Sequence, residues 1–263
     1  MPRERATLPA GSRLTDYISL GVLAKTFPRD RVQGILDATR TSSIRQRALP
    51  APVMVYYVIA LALYMGVAYR EVLRCLLEGL QWLGDPEAQL PVAAKSAIAQ
   101  ARRRLGAAPL RQLYEATVGP LATPQTRGAW YRTWRLVSLD GSTLDVGDTA
   151  ANVAYFGRPK ASRGQSAFPQ LRFAALVENG THVLYGATPG PYRVGETTLA
   201  AQTLTGLRPD MLCLADRLFF GYALWTQAAA TGAALLWRVK ANLGLPVEQR
   251  RALAEGSAGW RCA

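Results

Sequence analysis

Leu136-Val137-Ser138-Leu139-Asp140-Gly141-Ser142-Thr143 decides how the second half of this chain is read. An apolar run that ends on a carboxylate and passes into small, polar residues has the pattern of a buried strand delivering an acid to its end. Met211-Leu212-Cys213-Leu214-Ala215-Asp216-Arg217 repeats it. A carboxylate so placed is held by the sheet yet open to solvent, which suits a ligand for Mg²⁺ in phosphoryl-transfer chemistry. Either aspartate alone is an ordinary strand-end turn residue; the pair points to a metal.

Residues 136–146, 170–178 and 182–187 alternate or cluster apolar and β-branched side chains, with Asn179-Gly180 as a hairpin turn between the last two. His182, the only histidine, falls at the edge of the third strand, which leaves little room for a histidine-based triad. A helix follows over 195–207, then a strand at 211–215, a helix over 220–230 closed by Gly232, and a strand at 234–239. The order is βββαβαβ. Its natural arrangement is a mixed sheet whose first three strands are antiparallel and whose later two join in parallel through right-handed crossovers. If the first and fourth strands are neighbours, Asp140 and Asp216 meet, and they repel unless a divalent cation lies between them.

The first half has a different texture. Apolar residues at helical spacing mark helices after Thr15-Asp16, after Arg29-Asp30, after Pro52, over 70–83, over 95–105 and over 110–121. Residues 48–69 carry no charge and are long enough to span a bilayer, but Pro50, Pro52, Gly66 and four tyrosines favour a buried helix of a helical domain. Pro124, Gly128 and several threonines make 121–134 the best linker. The division expected is therefore a helical domain over 1–128 and an α/β domain over 129–263.

The 263 residues carry 31 Lys and Arg against 18 Asp and Glu, a net charge of +13. Lysine occurs only at Lys25, Lys95, Lys160 and Lys240, so the charge is mostly arginine, which matches phosphate oxygens in pairs and stacks on bases. A polyanionic partner follows, with a solubility charge as the bland alternative. Three scattered cysteines indicate neither disulfides nor a zinc site and fit a reducing cytoplasm. Lys95, Gln100, Arg102 and Arg103 on one helix offer contacts to a groove or a backbone, or simply a solvated face. Arg158, Lys160, Arg163 and Arg172, with Phe156 and Phe168 between them, form a second basic stretch suited to tracking a DNA strand. Arg238 and Lys240 end the last strand beside the aspartates, where they can bind a phosphate or neutralise the carboxylates. Asp145 and Asp148 read as turn or hydrogen-bonding residues.

Several linked motifs carry a resemblance. Leu139-Asp140-Gly141-Ser142-Thr143-Leu144-Asp145-Val146, Phe156-Gly157-Arg158-Pro159, Gly190-Pro191-Tyr192, Leu214-Ala215-Asp216-Arg217, Phe219-Phe220-Gly221-Tyr222 and Leu236-Trp237-Arg238-Val239-Lys240 together resemble an IS4-type insertion-sequence transposase. Leu14-Thr15-Asp16 and Ile18-Ser19-Leu20-Gly21-Val22-Leu23 resemble that family's helical N-terminal domain. The resemblance implies an RNase H-like DDE domain, with Asp140 and Asp216 as the first two catalytic, metal-binding acids and Mg²⁺ or Mn²⁺ as cofactor. It implies double-stranded DNA as partner, both transposon ends and target, and a nucleoid-associated cytoplasmic protein with no membrane segment. A homo-oligomer or pairing with a full-length transposase would follow.

The family's third acid is a glutamate in a Tyr-x2-Arg-x3-Glu-x6-Lys pattern. Only Tyr155 has an arginine at the required spacing, Arg158, and Ser162 stands at the glutamate position. After Asp216 the only acids are Glu248 and Glu255, too early for that helix. The expectation is an incomplete RNase H-like domain, truncated after its fifth strand, that binds DNA with little or no strand transfer. The alternative is a non-catalytic DNA-binding remnant that inhibits transposition. Leu218 replaces the glycine usual after Asp-Arg, which implies a turn less able to adopt an unusual backbone angle.

Overall fold

The computed structural model describes residues 20–43, 49–64, 66–83, 92–161, 164–240, 242–244, 247–252 and 258–262. The chain divides into two compact units, Met1–Val118 and Gly119–Ala263.

The first unit is helical: α1 (Leu20–Thr26), α2 (Arg29–Ala38), α3 (Ala51–Leu63), α4 (Tyr69–Leu83), α5 (Lys95–Leu105) and α6 (Ala108–Thr117). The helix expected after Thr15-Asp16 begins outside the described residues. Pro50 precedes α3 and Pro52 sits in its first turn, where a missing N–H costs nothing. The uncharged stretch forms the unit's central helix. Met54, Val55, Tyr57 and Ala60 of α3 are buried against Val32 and Leu36 of α2, Val72 and Leu73 of α4, and Ile98, Ala101 and Leu105 of α5. Burial of its tyrosines is tolerable because both hydroxyls find acceptors. Tyr56 Oη donates to the Phe27 carbonyl at 2.6 Å and Tyr57 Oη to that of Tyr69 at 3.1 Å. Among the described residues no helix is long and apolar enough to cross a membrane, since α3 ends after 13 residues and Gly66 turns the chain at φ 91°.

The second unit is α/β. Its elements are β1 (Trp130–Tyr131), β2 (Trp134–Asp145), α7 (Ala150–Phe156), β3 (Lys160–Ala161), β4 (Gly164–Gln165), β5 (Gln170–Glu178), β6 (Leu184–Pro191), α8 (Glu196–Thr203), β7 (Met211–Ala215), α9 (Tyr222–Ala229), β8 (Ala234–Trp237), β9 (Val247–Ala252) and β10 (Ala258–Cys262). A six-stranded mixed sheet runs β6-β5-β2-β7-β8, with β1 also on β2. Strands β2, β5 and β6 are antiparallel; β7 and β8 run parallel to β2. One face carries Val137, Leu139, Ala174, Leu176, Met211, Cys213 and Trp237, all buried, and α8 and α9 pack over it. Leu199 of α8 lies against Gly190, and Trp225 of α9 meets Trp237 edge-on at 5.3 Å.

Several expectations are corrected. Asp140 does not end its strand. β2 continues to Asp145 because Gly141 to Asp145 pair with β5, and only the parallel neighbour β7 stops at this level. His182 is a turn residue at φ 60°, its N–H on the Glu178 carbonyl at 2.9 Å. The third strand starts later, at Leu184, after a turn in which Gly180 lies so close to Arg127 and Ala129 that an added Cβ would come within 2.8 Å of their backbone. The helix expected over 110–121 ends at Thr117.

The division between units falls at Val118 and Gly119, earlier than the boundary expected at 128. Physically, the supposed linker is docked on the sheet. Buried Glu178 accepts from the amides of Leu121 at 2.9 Å and Ala122 at 2.8 Å, and it pairs with Arg135 of β2. After β8, β9 and β10 form a separate antiparallel hairpin.

Candidate metal centre

The parallel register of β2, β7 and β8 fixes the geometry. Leu139 pairs with Ala215, and Ala215 with Trp237. One step further lie Asp140, Asp216 and Arg238, side by side across three strands, and the Arg238 N–H still reaches the Ala215 carbonyl at 2.9 Å. Neighbouring strands are about 4.8 Å apart, so the two aspartate backbones approach to about that distance. By strand alternation Asp140 leaves the sheet on the face opposite α8 and α9, while Asp216 and Arg238 stand immediately beyond the ends of β7 and β8. All three are exposed.

Each carboxylate is oriented locally. Asp140 Oδ1 accepts from the Gly141 N–H at 2.8 Å, and Asp216 Oδ1 accepts from the Leu218 N–H at 2.6 Å. Neither Oδ2 has a protein donor among the described residues. The turn after Asp216 is closed by Phe219, whose N–H meets the Asp216 carbonyl at 3.2 Å and whose ring is buried. Leu218 is not among the residues with positive φ, so no glycine is required there and the turn is unimpaired. Two adjacent carboxylates, each with one fixed and one free oxygen, are hard donors that fit a Mg²⁺ or Mn²⁺ ion retaining several waters.

Glu196 is the acid that sequence spacing did not single out. Its side chain lies over Gly141, where an added Cβ would come within 3.0 Å of its carboxyl carbon. Gly141 faces α8, however, so Glu196 sits on the other side of the sheet from Asp140. It approaches Arg172, 3.7 Å away, whose guanidinium also covers the Tyr192 ring at 4.3 Å. Among the described residues no group of three or more metal-ligating side chains converges. Glu248 lies on β9, which pairs with β10 and not with the main sheet, and Glu255 lies outside the described residues.

The basic residues separate by environment. Arg158 is drawn inward: it pairs with Asp148 at 2.5 Å and donates to the carbonyls of Ser166 and Ala167. It therefore clasps the loop that carries Lys160, which is exposed on β3; Arg163 lies outside the described residues. Asp145 likewise has a structural partner, Gln170, at 2.8 Å. Arg238 stands beside Asp216, and Lys240 lies two residues on, exposed. In the helical unit Lys95, Gln100, Arg102 and Arg103 are exposed on α5, opposite its buried Ile98, Ala101 and Leu105. These residues stay on the surface of their own units.

Comparison with known proteins gives this arrangement its context. Residues 17–115 match the family described as insertion element 4 transposase N-terminal, and residues 134–256 match the transposase DDE domain. The chain belongs to the IS4-type DDE insertion-sequence transposases. A putative transposase, InsZ, of Escherichia coli K12 is 29% identical over 231 residues, covering 85% of this chain and 72% of that protein. InsG of the same organism, the transposase for insertion sequence element IS4, is 26% identical over 221 residues, covering 84% of this chain. The match takes in 48% of InsG, so this IS4-type chain spans about half the length of that relative. No solved structure matches. The mixed sheet with helices on it is consistent with an RNase H-like DDE fold.

Proposed function

We propose that this chain is a DNA transposase of an insertion sequence, with Asp140 and Asp216 as the catalytic pair that holds a divalent metal for phosphoryl transfer. The observation that carries the reading is the register of β2 against β7, which sets two exposed carboxylates side by side with one oxygen of each unclaimed. A bound Mg²⁺ or Mn²⁺ would supply charge stabilisation for in-line attack on a phosphodiester. The Gly141 and Leu218 amides each hold one oxygen of their carboxylate and leave the other for the metal. Arg238, next in register, is positioned to bind a phosphate flanking the scissile one, with Lys240 behind it. Lys160, on the loop that Arg158 clasps, is assigned to a DNA strand together with Arg163, and Lys95, Gln100, Arg102 and Arg103 contact DNA from the helical unit. The sheet order supports an RNase H-like βββαβαβ core for the second unit, and the helical unit before it is assigned to DNA-end binding.

A second reading is a non-catalytic DNA-binding protein that occupies transposon ends and inhibits transposition, alone or paired with a full-length copy. It is favoured by the convergence of only two acids among the described residues. Cleavage of DNA bearing the element's own ends, in Mg²⁺ or Mn²⁺, separates the two. Nicking that both Asp140→Ala and Asp216→Ala abolish supports the transposase reading. DNA binding with no nicking under any metal supports the inhibitor.

A further inference from the structure

The helical unit contains a cavity of about 450 Å³ between the end of α2, the start of α3 and the end of α5. Its floor is apolar and buried, formed by Leu49, Ala51, Met54, Ala101 and Leu105. Its rim is polar: Arg40, Thr41, Ser42, Ser43 and Arg104. Neither arginine has an ion-pair or hydrogen-bond partner for its side chain among the described residues. Asp37 forms an ion pair with neither; its Oδ1 accepts from Ser42 Oγ and from Gln33 Nε2 at 2.9 Å.

The backbone at Arg40 is unusual. Arg40 N–H donates to the Asp37 carbonyl at 3.0 Å and Thr41 N–H to that of Leu36 at 2.9 Å, which is the Schellman closure of α2. That closure puts residue 40 at φ 55°, the left-handed conformation that glycine adopts without cost. An arginine here pays a backbone penalty to stand at the rim of a cavity already lined by a second free arginine. Selection for stability alone would place glycine at this position.

We propose that this cavity binds a phosphodiester of the DNA backbone, with Arg40 and Arg104 on the phosphate oxygens, the Ser43 hydroxyl, which accepts from the Ala51 amide and keeps its proton free, as a further donor, and the deoxyribose over the apolar floor. Two guanidinium groups on one rim match the charge of the anion, and the apolar floor suits the sugar. Arg104 extends the α5 contacts already proposed from one side of that helix to the other. The inference rests on DNA being the chain's partner, as proposed above.

The test is fluorescence anisotropy with the full chain and a labelled DNA duplex, over a salt series without divalent metal. Arg40→Gly and Arg104→Ala are each expected to weaken binding about 5- to 10-fold and to lower the salt slope by about one. Arg31→Ala removes the same charge from α2 outside the cavity and is expected to stay within about twofold of wild type. Arg40→Gly is expected to keep or raise the melting temperature, which separates lost contact from lost fold. Wild-type affinity in both Arg40→Gly and Arg104→Ala overturns the site, as does an equal loss in Arg31→Ala. Failure of the wild-type chain to bind any duplex overturns the DNA reading itself.

Discussion

Asp140 and Asp216 each commit one carboxylate oxygen to a backbone amide of their own turn, and this local bond fixes where the other oxygen points. Without a cation the two like charges oppose each other, so Asp140→Asn is expected to raise the melting temperature in EDTA and to abolish any rise on adding Mn²⁺. A calorimetric scan of both proteins checks this. Leu218 gives an independent test of the turn. Because its φ is not left-handed, Leu218→Gly is expected to cost about 0.5–1 kcal/mol through the unfolded chain rather than to relieve strain. Gly180 is the opposite case. At φ 88°, with an added Cβ 2.8 Å from the Ala129 nitrogen and the Arg127 oxygen, Gly180→Ala is expected to destabilise by more than about 1 kcal/mol in urea unfolding.

At the scale of elements, the hinge of the α/β unit is the buried node where β5 meets the incoming chain. Burial pushes the Glu178 carboxyl up, but hydrogen bonds from Thr181, the Leu121 and Ala122 amides and Arg135 outweigh it and hold the group below its ordinary range. A lowered carboxylate gives stability that is present above its unfolded value, about 4.3, and lost as pH falls through the folded one. Acid unfolding should therefore steepen below about pH 4 in wild type and flatten in Glu178→Gln. Glu178→Ala, which strands Arg135 and two amides, is expected to cost about 3–5 kcal/mol. This node was not legible in the sequence because, Thr181 apart, the partners of Glu178 lie 43 to 57 residues away along the chain. The periodic elements were legible: β2, β5, β7, α8 and α9 fall where alternation and helical spacing place them. The misses are elements whose cause is tertiary. Short β1, β3 and β4 exist only through pairing, α7 depends on a Thr149 cap and a loop clasped by Arg158, and β2 overruns Asp140 because β5 continues beside it.

For the molecule as a whole, the sequence motifs located the two acids, and only the strand register showed them to be neighbours. Glu196 escaped notice since it precedes Asp216 and reaches the sheet by the packing of α8, on the other face. With a net charge of +13, mostly arginine, the proposed DNA binding is expected to depend steeply on salt. If six or more phosphates are neutralised, binding is expected to fall about 10³-fold between 50 and 200 mM salt. The measurement that bears most directly on the paired-aspartate site is isothermal titration with Mn²⁺ on wild type, Asp140→Ala and Asp216→Ala. A binding event present in wild type, lost in each variant and accompanied by unchanged DNA affinity is the predicted result. Equal Mn²⁺ binding in all three proteins would contradict it.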